Sequence, residues 1–236
     1  MNDLRMAVVG VGRMGLTHAE NLVSRIRGAR LAAVTTSSAE RAAEVRRRCG
    51  AVSVYDDLDA LLEAEALDAV IIASSTSAHV ANVERCALAG LHILCEKPLG
   101  LSLEECGRAG AAARAAGVKL MLGHTRRFDA GYIEAKRVIE SGGIGRPVLY
   151  RSLSGDMNPP PVSFADLEVS GGLILDSMYH DIYLGRWLLG DEIVRVYGEG
   201  GALIDESIAT VGDVDNAVVS VRFSGGAMGA LTASRT

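Results

Sequence analysis

The sequence predicts an α/β fold in two parts: a doubly wound parallel sheet, then an α+β region built on a mostly antiparallel open sheet. From Arg5 to Leu122, short apolar runs alternate with helical patterns of about ten to fifteen residues, the rhythm of strand–helix–strand units. Beyond Ile193, apolar runs follow one another across glycine turns with no helix between them, which favours antiparallel pairing. The pattern changes after Gly123 and sets a domain boundary there, giving domains 1–123 and 124–236. Composition agrees. The chain is 49% hydrophobic but only 4% aromatic, and small side chains let helices lie close on a sheet.

Each element follows from a local pattern. Arg5–Val9 reads as a strand, followed by a glycine loop and a helix to about Arg27. Leu31–Val34 is a second strand, and its helix is expected to open at Ser37 with Glu40 completing a capping box. Val52–Tyr55 is a short strand and Leu58–Ala64 a helix. Ala69–Ala73 is apolar throughout, as a strand buried on both faces must be, with a helix from Ala78 to Ala89 behind it. Leu91–Cys95 and Val118–Leu122 flank a helix that Ser102 and Glu105 open. In the second part, helices are expected at 130–141 and continuously over 174–189, with strands at 147–153, 193–196, 217–223 and 228–233. Asn158-Pro159-Pro160-Pro161 opens a loop running to Gly171-Gly172.

Bulk properties exclude several classes. A net charge of −5 gives no basic field for nucleic acid, and Arg46-Arg47-Arg48 closes a helix, where cations favour the macrodipole. The four cysteines show no C-x-x-C spacing, so neither a disulfide framework nor a metal site is indicated. Free thiols point to the cytoplasm. Strand-like sequence from Leu4 leaves no room for a signal peptide, and no apolar run reaches membrane-spanning length.

Four segments carry chemistry. Gly10-Val11-Gly12-Arg13-Met14-Gly15 fits G-x-G-x-x-G between a strand and a helix, where glycines let a dinucleotide pyrophosphate approach the backbone and the helix N-terminus. At the end of the second strand, the acid that would take an adenosine ribose is replaced by Thr36, Ser37 and Ser38, with Arg41 beyond. Hydroxyls and a guanidinium suit a 2′-phosphate, so NADP is expected over NAD. Glu96-Lys97-Pro98 places an amine where a buried strand meets solvent, the edge at which open α/β sheets bind ligands. Proline fixes the turn and keeps Lys97 out of the next helix. Asp176 and His180, four apart, share a helix face, where the carboxylate would orient the imidazole as a proton acceptor. Gly171-Gly172 ahead of them would let the loop pass close to a ligand.

Taken together, these segments resemble the oxidoreductases grouped around glucose–fructose oxidoreductase and inositol 2-dehydrogenase. The likeness rests on the fingerprint at 10–15, Ser74-Ser75-Thr76 with His79, Glu96-Lys97-Pro98, Arg126-Arg127-Phe128-Asp129, and Gly171-Gly172 with Asp176 and His180. It implies an N-terminal Rossmann domain and an NAD(P)-dependent dehydrogenase acting on a secondary alcohol or ketone of a sugar, cyclitol or similar polyol. Lys97, Asp176 and His180 would be its catalytic groups, the lysine on the reacting oxygen and the histidine as base. Gly10, Gly12, Arg13, Met14, Gly15, Ser74, Ser75, Thr76, His79, Glu96 and Lys97 would face the cofactor. Arg127 and Asp156 would join the three catalytic groups around substrate. Thr36 stands where many members carry the ribose-binding acid, and Met178 and Tyr183 where a glycine and a second aspartate are common. Members continue for roughly a hundred residues more, the scale of a small domain, so the second domain is expected to be incomplete relative to the family. A homo-oligomer is expected if its sheet is complete. The alternatives are a non-catalytic dinucleotide- and sugar-binding regulator and a truncated inactive homologue.

Overall fold

The computed structural model describes residues 3–235, which fall into two compact units that divide after Gly123. In the first, β1 (Leu4–Val9), β2 (Ala29–Thr35), β3 (Ser53–Tyr55), β4 (Ala69–Ile72), β5 (His92–Cys95) and β6 (Leu120–Leu122) form one six-stranded sheet in the order β3-β2-β1-β4-β5-β6. Every pairing is parallel. The helices between them are α1 (Arg13–Ser24), α2 (Ala39–Cys49), α3 (Leu58–Ala64), α4 (Thr76–Leu88) and α5 (Leu103–Ala115). Strand order reverses between β1 and β4, so a crevice opens beyond their carboxyl ends.

Alternation along the central strands builds a core on each face. Ala7 and Val9 of β1, with Val70 and Ile72 of β4, pack toward Leu61, Val80 and Val83. Val8 and Ile71 point the other way, toward Leu16, Ala19, Leu22 and Val45. Burying a side chain of this size contributes about 1.5–3 kcal/mol, and all of β4 is buried.

The second unit carries α6 (Ala130–Glu140), β7 (Leu149–Gly155), α7 (Val162–Ala165), α8 (Leu167–Ser170), α9 (Tyr179–Leu189), β8 (Ile193–Gly201), β9 (Asn216–Phe223) and β10 (Met228–Ser234). Its sheet runs β7-β10-β9-β8, antiparallel except for the parallel β7–β10 pair. Phe223, Leu231, Leu173 and Met178 form its core. The architecture is the predicted α/β one.

Several boundaries differ from the sequence reading. The loop after the prolines folds into α7 and α8. Pro161 precedes the first, and Asp166 caps the second by accepting from the Glu168 N–H at 2.8 Å. The helix expected over 174–189 opens as a π turn, Ile174–Met178, and becomes α-helical only at Tyr179. β8 extends to Gly201, because β9 supplies partners as far as Asn216. α2 is capped by Ser38 rather than Ser37. Its hydroxyl accepts from the Arg41 N–H at 3.3 Å, while Glu40 lies in the first turn.

Asp215 is a buried carboxylate that organises the segment after β8. It accepts the backbone N–H groups of Leu203, Ile204 and Asp205, each at 2.8 Å. Burial works to raise its pKa, but these bonds, with the Asn216 amide, outweigh burial and hold it well below the usual carboxylate range. A depressed folded value gives stability that is complete above the unfolded pKa of about 3.9 and is lost as pH falls through the folded one. Asp215→Asn is expected to cost about 1–3 kcal/mol near neutral pH and to flatten the pH dependence of stability below about pH 4. Urea titrations across that range check both, and parallel acid limbs for the two proteins would count against the assignment.

Candidate active site

In the first unit, the site residues collect at the carboxyl edge of the parallel sheet. Gly10 leaves β1 at φ +86°, and a Cβ there would sit 2.7 Å from the Ser74 Cα. A Cβ on Gly15 would lie 1.9 Å from the Gly10 carbonyl oxygen, so α1 is seated against the loop by the lack of a side chain. Gly12 differs from both, since a Cβ on it meets nothing within 4 Å. The middle glycine therefore faces open space at the N-terminus of α1, where a pyrophosphate would need the backbone bare. The residues present fit a dinucleotide. Thr35 fixes the loop from β2 by accepting the Gly10 N–H at 3.0 Å.

Beyond β2, the Thr36 hydroxyl accepts the Ser38 N–H at 3.2 Å. Ser37 is exposed, and Arg41 is paired with Glu44 at 3.1 Å on the surface of α2. Arg13 is exposed at the start of α1, and Met14 is half-buried beside it.

Around Lys97 the structure revises two expected roles. His79, expected on the cofactor side, is only 1% exposed. Its Nδ1 lies 2.8 Å from the Pro98 carbonyl and its Nε2 3.1 Å from the Ser74 carbonyl. The ring thus brackets the loop after β4 to the turn after β5. Burial lowers its pKa while the two carbonyls work the other way, and a neutral ring donates to one of them at a time. Glu96 is also buried, and its Oε1 meets the Nε2 of His18 on α1 at 2.6 Å. Burial works to raise its pKa; the His18 contact and the neighbouring Lys97 hold it low. Both side chains are consumed within the protein, so they locate Lys97 rather than a ligand. Lys97 itself is half-buried, precedes a cis peptide bond to Pro98, and bears electrostatically on both Glu96 and His79. Ser74 accepts from the Asn82 amide at 3.1 Å, and Ser75 is the N-cap residue of α4, with Thr76 its first residue.

In the second unit, Asp176 sits within the π turn and His180 in the first turn of α9, both half-buried. Of the Gly171-Gly172 pair, the first is the left-handed cap that ends α8 and the second serves packing. Gly172, at φ +72°, would place a Cβ 2.4 Å from the Asp213 Oδ1, so only glycine admits that carboxylate. Asp156 accepts from the Ser177 hydroxyl at 3.2 Å, beside Asp176. Arg127 lies over the Trp187 ring of α9, 5.7 Å from its centroid, which fixes its guanidinium to the helix bearing His180.

Three further groups were missed from sequence. Asp181, fully buried beside His180, accepts from the hydroxyls of Ser152 and Ser154 on β7, the latter at 2.5 Å. Those serines are two apart on one strand face, a pattern that could have been read only with the pairing known. His124 stacks on Tyr183 at 3.7 Å between centroids and on Tyr179 at 5.6 Å. Burial, then the charges of Arg127 and Arg186, lower its pKa, which favours the neutral ring. Tyr183, where the resemblance suggested a second aspartate, is thus a packing partner. Arg235 is completely buried.

Comparison with known proteins places this geometry. The family described as an oxidoreductase family with an NAD-binding Rossmann fold, GFO/IDH/MocA, matches residues 4–124, and the C-terminal domain of the same family matches residues 132–236. The chain belongs to that family. It is 40% identical over 232 residues to myo-inositol 2-dehydrogenase of Thermotoga maritima, covering 98% of this chain and 69% of that protein. Identity is also 40% over 235 residues to the scyllo-inositol 2-dehydrogenase (NAD(+)) of Bacillus subtilis, covering 100% and 68%. Among solved structures, scyllo-inositol dehydrogenase from Lactobacillus casei with bound NAD(H) and scyllo-inositol aligns at TM-score 0.88 and 32% identity, over 99% of this chain and 70% of that one. The chain is accordingly an NAD(P)-dependent oxidoreductase acting on CH–OH groups. No helix among the described residues is long and apolar enough to cross a membrane.

The two outer glycines and the middle one separate experimentally. Gly15→Ala is expected to unfold or strongly destabilise the first unit, because a backbone oxygen occupies the space. Gly12→Ala should change stability by no more than about 0.5 kcal/mol yet weaken dinucleotide binding at least ~10-fold. Calorimetric titration with NAD and NADP beside thermal melts reads both effects.

Proposed function

We propose that this chain oxidises a ring hydroxyl of an inositol or closely related polyol, with Lys97, Asp176 and His180 as its chemical groups. The observation that carries the reading is the seating of Lys97. Two buried side chains, His79 and Glu96, are spent on fixing the turn that presents its amine at the ligand-binding edge of the sheet. The inositol 2-dehydrogenases that resemble the chain over nearly all its length support the substrate class.

Oxidation of a secondary alcohol needs a proton acceptor and a positive charge on the developing alkoxide. His180 takes the hydroxyl proton, Lys97 stabilises the oxygen, and Asp176 orients the acceptor and the substrate. Arg127 and Asp156 contribute to substrate binding. Gly10, Gly12, Gly15 and the N-terminus of α1, with Arg13, Met14 and Ser74–Thr76, hold the dinucleotide. When bound, it supplies the hydride acceptor. In the reverse direction the same groups exchange protonation states.

NADP is the proposed preference. Thr36, Ser37 and Ser38 put no carboxylate at the end of β2, and Arg41 reaches a 2′-phosphate by leaving Glu44. The outer face of the second sheet exposes Leu149, Leu153, Tyr197, Val218 and Met228, which supports self-association. Four free cysteines, with the buried Cys86 and Cys95 thiols pushed up to about 12 by burial, suit the cytoplasm.

Lys97→Ala is expected to lower kcat with myo- or scyllo-inositol by about 100-fold or more while dinucleotide affinity stays within a few-fold. An unchanged rate removes Lys97 from the mechanism. Steady-state kinetics with both cofactors should give the higher kcat/KM with NADP, and a clear advantage for NAD sinks that preference.

A further inference from the structure

The mechanism above leaves a buried cation beside Asp176 without a role. Arg235 follows β10 and is 0% exposed. Its Nη1 donates to the Asp213 carboxylate, and its Nη2 lies 3.8 Å from the Asp176 Oδ2. Both Nε and Nη2 lack a hydrogen-bond partner among the described residues. Burying a guanidinium with unfilled donors is costly, and hydrocarbon would serve packing better at such a point.

Asp213 adds a second constraint. Its two oxygens accept the Leu173 N–H at 3.0 and 3.1 Å, at the head of the π turn that carries Asp176. Gly172 is bare so that this carboxylate can approach. One ion pair therefore pins the backbone where the turn begins and aims a charge at the acid in its middle. The planar fork of arginine suits both tasks, one nitrogen on Asp213 and another toward Asp176. A lysine ammonium has no such fork to span the two.

We propose that Arg235, anchored by Asp213, is a positioning residue that orients the Asp176 carboxylate for the reaction. The inference rests on the reading of Asp176 as a catalytic group. Arg235 touches neither reacting atoms nor cofactor in this role; it acts through Asp176.

A double-mutant cycle tests it, with kcat and KM for myo-inositol measured under saturating dinucleotide and thermal melts recorded for each protein. Arg235→Lys is expected to fold and to lower kcat by about 10–100-fold, with dinucleotide affinity within about twofold of the parent. In an Asp176→Asn background, the same substitution should lower kcat by less than about twofold further. Equal losses in both backgrounds would overturn the role of Arg235, since a merely structural residue acts regardless of Asp176. Wild-type kcat in Asp176→Asn alone would instead overturn the catalytic reading of Asp176, and the inference with it. If Arg235→Lys melts below the assay temperature, Asp213→Asn keeps the guanidinium, releases its anchor and carries the same cycle, with the same coupling expected and additive losses again overturning the role.

Discussion

The close approach of backbone to backbone at Gly10, Gly15 and Ser74 is the constraint on which the first unit turns. A strand end, a helix start and a neighbouring strand's loop converge there with no room for a β-carbon at either outer glycine. Ser74 then presents its carbonyl to His79, whose other nitrogen reaches Pro98, and α1 presents His18 to Glu96. Lys97 lies between those two anchors in sequence. Its location is thus inherited from the glycine loop through two imidazoles. A displacement of α1 would be felt at the amine as well as at the pyrophosphate site, because one helix serves both.

The second unit reaches a comparable order by other means. Its fixed points are buried carboxylates rather than bare backbone. Asp181 holds α9 to β7 through two serines, Asp213 holds the π turn, and Asp215 holds the segment after β8. Each is satisfied by several donors, the condition under which a buried charge is tolerated. Such anchors are directional where hydrophobic contact is not. They suit a region whose sheet is covered by helix on one face only.

Legibility in the sequence follows the range of the interaction. The parallel sheet was readable because alternation along β1 and an unbroken apolar β4 are local patterns set by burial. The glycine fingerprint was readable because its spacing is a steric requirement within six residues. The cap of α2 was misplaced by one residue, since consecutive serines offer the same hydroxyl. The π turn was invisible, because over a single turn its apolar spacing matches that of an α-helix. His79, Glu96 and Gly172 were noticed, but Pro98, His18 and Asp213, which they meet, lie too far along the chain for those internal contacts to be inferred. Asp181, His124 and Arg235 gave no local signal at all. Their meaning exists only once strand and helix are assembled.

The parallel pairing of β7 with β10 has a consequence for how the protein is made. Each strand of the first sheet finds its neighbours within the first 122 residues, so that unit can close while the ribosome is still extending the chain. β7, by contrast, emerges early in its unit and pairs, among the described residues, with β10, which begins at Met228. Between those moments the backbone edge of β7 waits unpaired. Asp181 meets Ser152 and Ser154 without that delay, since it lies well upstream of β10. The buried carboxylate can therefore hold β7 against its helix during synthesis, before the strand acquires its neighbour.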